Sequence, residues 1–359
     1  MKKISKGFIL PSAAYTVESK YLKFYKPLEG LPEIGDVVYG VVSRIGLHRE
    51  LENKSGRIHQ IQDGVKAIFV FGNRYAPDYY EGLIPSEVEE EVDLLARSGV
   101  IGTVKTKNSK VIDPTRIKIL GQVCHENGNK INTKSFCLIT PKINIKKYPR
   151  SKLILVCGTA MNSGKSMAAV ACCWSLTALG YCVRASKITG VASLKDILYM
   201  NDAGANPYAD FSYLGYPSTY LITEAEVLDI FNKLDLKYAN NKENYWVVEI
   251  ADGINQRETA MLLQSRDVQS RIHKLIFCAA DAFGAIGGLQ VLKQKFGLIP
   301  DAISGICSSS PLHIKELSEY TDIPVFDSMN ILLSQMKEIL ISDKLERLYA
   351  ELESAAINQ

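Results

Sequence analysis

The stretch Leu153-Ile-Leu-Val-Cys-Gly158-Thr-Ala-Met-Asn-Ser-Gly164-Lys165-Ser166 constrains this chain more than any other. Residues 153–157 form a short apolar run of the kind that makes a buried strand, and residues 167–179, rich in Ala and Leu, predict a helix. Between them lies a loop bounded by Gly158 and Gly164. Strand, glycine loop and helix in this order build a cradle for an anion. Gly164 lets backbone pass close to phosphate oxygens, while loop and helix-start N–H groups point at the anion with the helix dipole behind them. Lys165 is placed to reach β- and γ-phosphates and the Ser166 hydroxyl to hold Mg²⁺, with Thr159, Asn162 and Ser163 completing the loop. The expected ligands are ATP and Mg²⁺.

Later apolar runs recur at intervals that alternate with helical patterns. Strands are predicted at 180–187, 246–250, 274–280, 302–307 and 323–326, and helices at 257–265, 285–296, 311–320 and 330–354. Alternation of this kind implies right-handed βαβ units and a mainly parallel sheet covered on both faces. Ligands in such sheets sit at the carboxyl ends of the strands. Polar residues there are Lys187, Asp202, Glu249, Asp252 and Asp281. A carboxylate at a strand end beside a phosphate loop can hold Mg²⁺, and the same residue can equally be a surface charge or a helix cap. Ser308, in Cys307-Ser-Ser-Ser310-Pro311, is placed either to contact a nucleotide base or to cap the helix beginning at Pro311. The helix at 330–354 is amphipathic, with Ile331, Leu332, Met336, Ile339 and Leu340 on one side, and is expected in core or dimer packing.

Residues 1–150 read differently. They carry 24 Lys and Arg against 16 Asp and Glu, whereas the whole chain is only +3. Alternating, β-branched segments at 36–45, 64–72, 99–107 and 115–121 are separated by Gly- and Asn-rich punctuation. Residues 85–97 (PSEVEEEVDLLAR) predict a helix with Ser86 as N-cap and Glu89 in the capping-box position. The expectation is a small β-rich, OB-like domain at 1–145 ahead of an α/β P-loop domain at 146–359, with a proline-flanked linker near 142–152. Arg44, Arg57, Lys105, Lys107 and Lys110, with Tyr75, Tyr79 and Tyr80, form a candidate nucleic-acid surface; the alternative is ordinary surface charge and half-buried tyrosine on a lid or dimerisation module. The N-terminus makes a poor signal peptide, and no run approaches the roughly 18 apolar residues needed to span a membrane. Eight scattered cysteines without a C-x-x-C pattern are expected as buried free thiols in a cytoplasmic protein.

The nine residues GTAMNSGKS match the G-T-x-x-x-x-G-K-T/S form of the dethiobiotin synthetase and cobyric acid synthase group. Lys187-Ile-Thr-Gly190, Asn201-Asp202 and Val248-Glu249-Ile-Ala251 resemble further motifs of that group, over roughly residues 151–330. The resemblance implies that Lys187 contacts phosphate and substrate, that Asp202 and Glu249 bind Mg²⁺ with Ser166, and that Thr189 adds a phosphate or substrate contact. It also implies phosphoryl transfer to a small carboxylate or carbamate acceptor, and a second substrate held at a homodimer interface. This chain departs from the pattern where its lysine motif is one residue shorter and where Ile250 and Asp252 replace parts of a glycine-rich segment. Asp252 is then a candidate for orienting the nucleophile. Ala160 stands where ParA/MinD-type ATPases carry a signature lysine. Two other classes remain open: an ATPase whose turnover times the grip of the N-terminal module on nucleic acid or protein, and an acyl- or amidotransferase-like enzyme that binds nucleotide or coenzyme A through the same loop.

Overall fold

The computed structural model describes residues 1–140 and 145–342. The strands are β1 (Lys2–Lys3), β2 (Phe24–Lys26), β3 (Val37–Arg44), β4 (Glu50–Glu52), β5 (Ile58–Gln60), β6 (Lys66–Phe71), β7 (Tyr80–Leu83), β8 (Glu91–Ala96), β9 (Val100–Lys107), β10 (Arg116–Cys124), β11 (Lys152–Gly158), β12 (Cys182–Lys187), β13 (Tyr208–Asp210), β14 (Asn244–Glu249), β15 (Ile272–Cys278) and β16 (Ala302–Ser304). The helices are α1 (Lys165–Ala178), α2 (Lys195–Asp202), α3 (Glu224–Tyr238), α4 (Arg257–Gln264), α5 (Arg266–Gln269), α6 (Ala282–Val291), α7 (Pro311–Ser318) and α8 (Leu333–Leu340).

β10, β3, β6, β9 and β8 pair in turn, and β8 returns to β10, so five strands close into a ring. All these pairings are antiparallel except β6 with β9. The period-2 alternation of the strands fills the interior with Val38, Val42, Phe69, Phe71, Val92, Leu94, Ile101 and Ile117. The helix expected at 85–97 is not formed, because its second half is β8. There Glu91 and Asp93 alternate with Val92 and Leu94, a strand pattern. Arg116 clamps the acids, its Nε donating to Glu91 at 3.1 Å and its Nη1 to Asp93 at 2.6 Å. Glu89, expected in a capping box, instead accepts from the Thr103 hydroxyl at 3.1 Å. Tertiary pairing has overridden local helix propensity. The basic surface is also partly neutralised, since Lys107 pairs with Asp113 at 2.5 Å.

The second sheet is parallel throughout, in the order β13-β12-β14-β11-β15-β16. β11 is central and apolar on both faces, as a parallel strand covered on both sides must be. Ile154 and Val156 face α1, α2 and α8. Leu153, Leu155 and Cys157 face the other way, into an apolar cluster that takes in Phe231 and Leu234 of α3 and Leu262 of α4. That cluster continues into the first half of the chain through Ala13, Val17, Tyr39, Val70 and Val100. The outer face of the ring therefore packs into the core of the parallel sheet, while the ring keeps its own interior cluster.

Most strand positions agree with the sequence pattern. Residues 323–326 make only a single bridge, Val325 to Ile303. Of the helix predicted at 330–354, the described residues form α8, which ends at Leu340, with Met336, Ile339 and Leu340 buried and Leu332 65% exposed; residues 343–354 of that prediction lie outside the described residues, as do residues 141–144 of the predicted linker. Cys124, Cys157, Cys172, Cys173, Cys278 and Cys307 are buried free thiols, whereas Cys137 and Cys182, expected to be buried, are exposed. Among the described residues no helix is long and apolar enough to cross a membrane.

Candidate functional site

The loop after β11 enters α1 through Gly164, whose φ of +92° an L side chain rarely adopts. A Cβ there would also lie 2.6 Å from the Gly305 Cα, so the loop can sit this close to its neighbour only with glycine. Asn162 also has positive φ, at +60°. Thr159 and Gly158 anchor the loop base, with the Thr159 N–H bonded to the Cys278 carbonyl at 2.9 Å. Ser163, Gly164, Lys165 and Ser166 line a cleft of about 400 Å³ at the carboxyl ends of β11, β12 and β14.

Besides Arg74 and Tyr75, four ionisable side chains meet Lys165 and Ser166 in this cleft. Lys165 is 6% exposed, and its Nζ donates to the Ala160 carbonyl at 2.6 Å. Burial pulls its pKa down, opposed by Glu249 and Asp252. The Ser166 hydroxyl donates to Glu249 Oε1 at 3.2 Å. Glu249 ends β14, directly beside Val156 of β11, and its Oε2 is buried without a hydrogen-bond partner. Burial raises the Glu249 pKa against the pull of Lys187. Lys187 ends β12, pairs with Asp196 in the first turn of α2, and lies 3.8 Å from Glu249 Oε1. Burial disfavours the Lys187 ammonium, but Asp196 and Glu249 outweigh it and raise the pKa. Burial likewise works against the Asp196 carboxylate, and the ammonium beside it more than compensates, leaving its pKa lowered. Asp252 lines the same cleft from a backbone with φ of +60°, and burial raises its pKa against Lys165, Lys187 and Arg74.

The expected site residues divide accordingly. Asn162, Ser163, Gly164, Lys165, Ser166, Lys187, Glu249 and Asp252 share the cleft. Asp202 does not: it is exposed at the far end of α2, and Asp196, near the start of that helix, is the carboxylate beside Ser166 and Lys187. The Thr189 hydroxyl is buried behind the wall, accepting from the Ala251 N–H at 2.8 Å. Ser308 is buried with its hydroxyl donating to the Gly305 carbonyl at 2.7 Å, and Ile306 lines the cleft in its place.

Sequence reasoning missed three contributors. Asp196 carried a signal, since Ser193-Leu-Lys-Asp196 has the form of a helix start just after a strand. Arg74 carried none, and Tyr75 was expected only on a nucleic-acid surface; both come from the β6–β7 connection and reach the cleft through tertiary packing. Asp78 of the same connection accepts from Asn162 Nδ2 at 2.6 Å, tying the ring to the phosphate loop.

No family model matches the chain, and no curated protein does. Among solved structures it is similar to the signal recognition particle receptor FtsY of Elizabethkingia anophelis in complex with GDP, at 10% identity and a TM-score of 0.36, over 59% of this chain and 70% of that one. It is similar to a ParA family ATPase from Chlorobium tepidum at 15% identity and a TM-score of 0.33, over 54% and 88%. The cell division protein FtsY of Thermotoga maritima matches at 15% identity and a TM-score of 0.33, over 59% and 75%.

Proposed function

We propose that this chain is a Mg²⁺-dependent, nucleotide-using phosphoryl-transfer enzyme, with ATP as the nucleotide and a small carboxylate or carbamate as acceptor, in the manner of the dethiobiotin synthetase-like group. The convergence of Lys165, Ser166, Lys187 and Glu249 in one cleft at the carboxyl ends of three adjacent parallel strands carries this reading. The donor set fits the ligands. Glu249 presents an unpartnered buried oxygen beside the Ser166 hydroxyl, and Mg²⁺ takes few protein ligands when phosphates supply the rest. Ser166 and Glu249, with Asp196 in the role first given to Asp202, would hold the metal, which supplies charge neutralisation on the phosphates.

The chain's own groups do the remainder. Lys165 exchanges its bond to the Ala160 carbonyl for the β- and γ-phosphate oxygens. Lys187 offsets charge on the transferring group. Asp252 faces that group and orients the nucleophile. An acceptor carboxylate oxygen forms a bond to the γ-phosphorus as the bond from that phosphorus to the β-bridging oxygen breaks, so the nucleoside diphosphate leaves with the electron pair. Water in place of the acceptor gives inorganic phosphate.

The test is phosphate release with ATP and Mg²⁺, alone and with pooled small carboxylates and amines, beside Lys165→Ala. Stimulation by the pool that is lost in the variant supports the reading. Release in neither protein under any condition ends it.

A second reading gains support from the Asn162–Asp78 hydrogen bond, which couples the phosphate loop to a ring of OB-like strand number. In it, nucleotide turnover times the ring's grip on single-stranded nucleic acid. Stimulation by RNA or DNA alone, falling steeply with salt, would favour it over transfer to a small acceptor.

A further inference from the structure

A second cavity, of about 570 Å³, adjoins the phosphate cleft between the ring and the parallel sheet. Arg74, Met161, Val191 and Ser193 line both spaces, so these residues are the partition. The charged wall of the second space is cationic. Arg49, Arg74, Arg97 and Lys195 line it with one carboxylate, Glu50, whose Oε1 Gln60 Nε2 already occupies at 2.7 Å, while Arg97 lies 3.9 Å from Glu52 beside the cavity. Leu47, Tyr79, Ala96, Met161 and Val191 supply apolar surface. The volume falls in the range of small-molecule sites, roughly 300–1,000 Å³.

Arg74 gives this space its chemistry. It is 6% exposed, and the carboxylate that acts on it is Asp252, across the partition. Its Nη1 donates to His48 Nε2 at 2.9 Å, and its Nε is buried without a partner. Its guanidinium carbon lies 5.4 Å from the Tyr79 ring centroid and 5.8 Å from that of Tyr80. A buried cation held by a neutral imidazole and two rings, with Asp252 as a counter-charge that it does not touch, is costly unless an anion completes it. The surrounding frame is fixed: the buried Glu52 carboxylate accepts from the Leu194 N–H at 2.7 Å and the Ser193 hydroxyl at 3.1 Å, locking ring to sheet beside the cavity.

We propose that this interdomain cavity is the acceptor pocket, that it takes a small carboxylate carried on an apolar body, and that Arg74 is the cation shared by the acceptor carboxylate and the transferring phosphoryl group. The proposal rests on the phosphoryl-transfer reading above. Guanidinium forks match carboxylates in two-point contacts, which a cavity with three arginines on its wall can offer. The partition position of Arg74 puts the bound carboxylate next to the phosphates without a dimer partner.

Two measurements on the full chain separate this proposal from the reading beneath it. The first is equilibrium binding of a fluorescent ATP analogue. The second is calorimetric binding of acetate, benzoate and glutarate at millimolar concentration, with inorganic phosphate as the competing anion, in the presence of a non-hydrolysable ATP analogue. The expected result is that nucleotide binds, that benzoate or glutarate binds more tightly than acetate or phosphate, and that Arg74→Gln removes this binding. Because Arg74 is buried, Arg49→Gln, at an exposed position, provides a fold-neutral second variant; losing one charge-assisted contact there should weaken carboxylate binding about tenfold. Nucleotide binding with no carboxylate binding, or carboxylate binding that neither variant changes, overturns the acceptor pocket alone. Phosphate binding as tightly as every carboxylate, with loss in Arg74→Gln, assigns Arg74 to the nucleotide and also overturns it. Carboxylate binding without nucleotide binding overturns the phosphoryl-transfer reading and the acceptor role together.

Discussion

At the scale of single residues, the cleft predicts separable losses. Lys165→Ala should lower turnover by at least about a hundredfold, since one donor aimed at developing charge is worth about that much. Phosphate release under saturating nucleotide is the readout, and near-normal turnover would remove Lys165 from the chemistry. Glu249→Gln keeps the shape and the Ser166 contact but removes the negative charge. It should raise the Mg²⁺ concentration required for half-maximal turnover, a shift that a purely structural Glu249 would not produce.

His48 gives a pH prediction. Burial, with Arg74 and Arg97 adding to it, pushes its pKa down to about 3 from an ordinary 6.5, so the folded protein keeps this ring neutral. Its Nε2 lies 2.9 Å from Arg74 Nη1 and 3.1 Å from the Leu95 carbonyl. A guanidinium can only donate and a carbonyl can only accept, so the neutral ring satisfies one of these two contacts in each tautomer. The unfolded chain takes up the proton below about pH 6.5 and the folded chain does not until about pH 3, so this residue's contribution to stability is lost as pH falls through that window. The slope due to His48 is about 1.4 kcal/mol per pH unit in mid-window. Urea denaturation from pH 7 to 4 in the wild type and in His48→Gln should differ by that slope; parallel curves would refute the assignment.

The elements show where sequence information suffices. β11, β14 and β15 were legible because a parallel strand buried on both faces is a run of apolar residues, whereas β12, with Arg184, Ser186 and Lys187, was placed by its position after the first helix. The loop was legible because its glycines and Lys165-Ser166 are local chemistry. β8 was not, since Ser86 and Glu89 imitate a helix start, and only the partners β9 and β10 make strand geometry cheaper. α3 was overlooked although Thr223 and Glu226 spell a capping box, which the structure contains in full. Thr223→Ala should therefore cost about 1 kcal/mol in thermal or urea unfolding, through loss of the bond to the Glu226 N–H. Leu94→Ala in β8, at a fully buried ring position, should cost about 2–5 kcal/mol. A cost well under 1 kcal/mol would mean that the ring interior is not where β8 places it.

At the scale of the molecule, the parts of the site that sequence reasoning could not find are those made by packing one half of the chain on the other. Arg74 and Tyr75 lie about 90 residues before Lys165, with no periodicity to link them. Asp202 was named and Asp196 missed because a motif resemblance reports spacing along the chain, whereas the cleft is assembled at the start of α2.

The apolar cluster running from Val70 and Val100 through Leu155 to Trp246 belongs to neither sheet alone. A gene cut near residue 145 would thus produce two fragments with raw hydrophobic faces rather than a miniature enzyme and a spare module. Any homologue that acquired or shed the ring would have had to rebuild the underside of its parallel sheet at the same time.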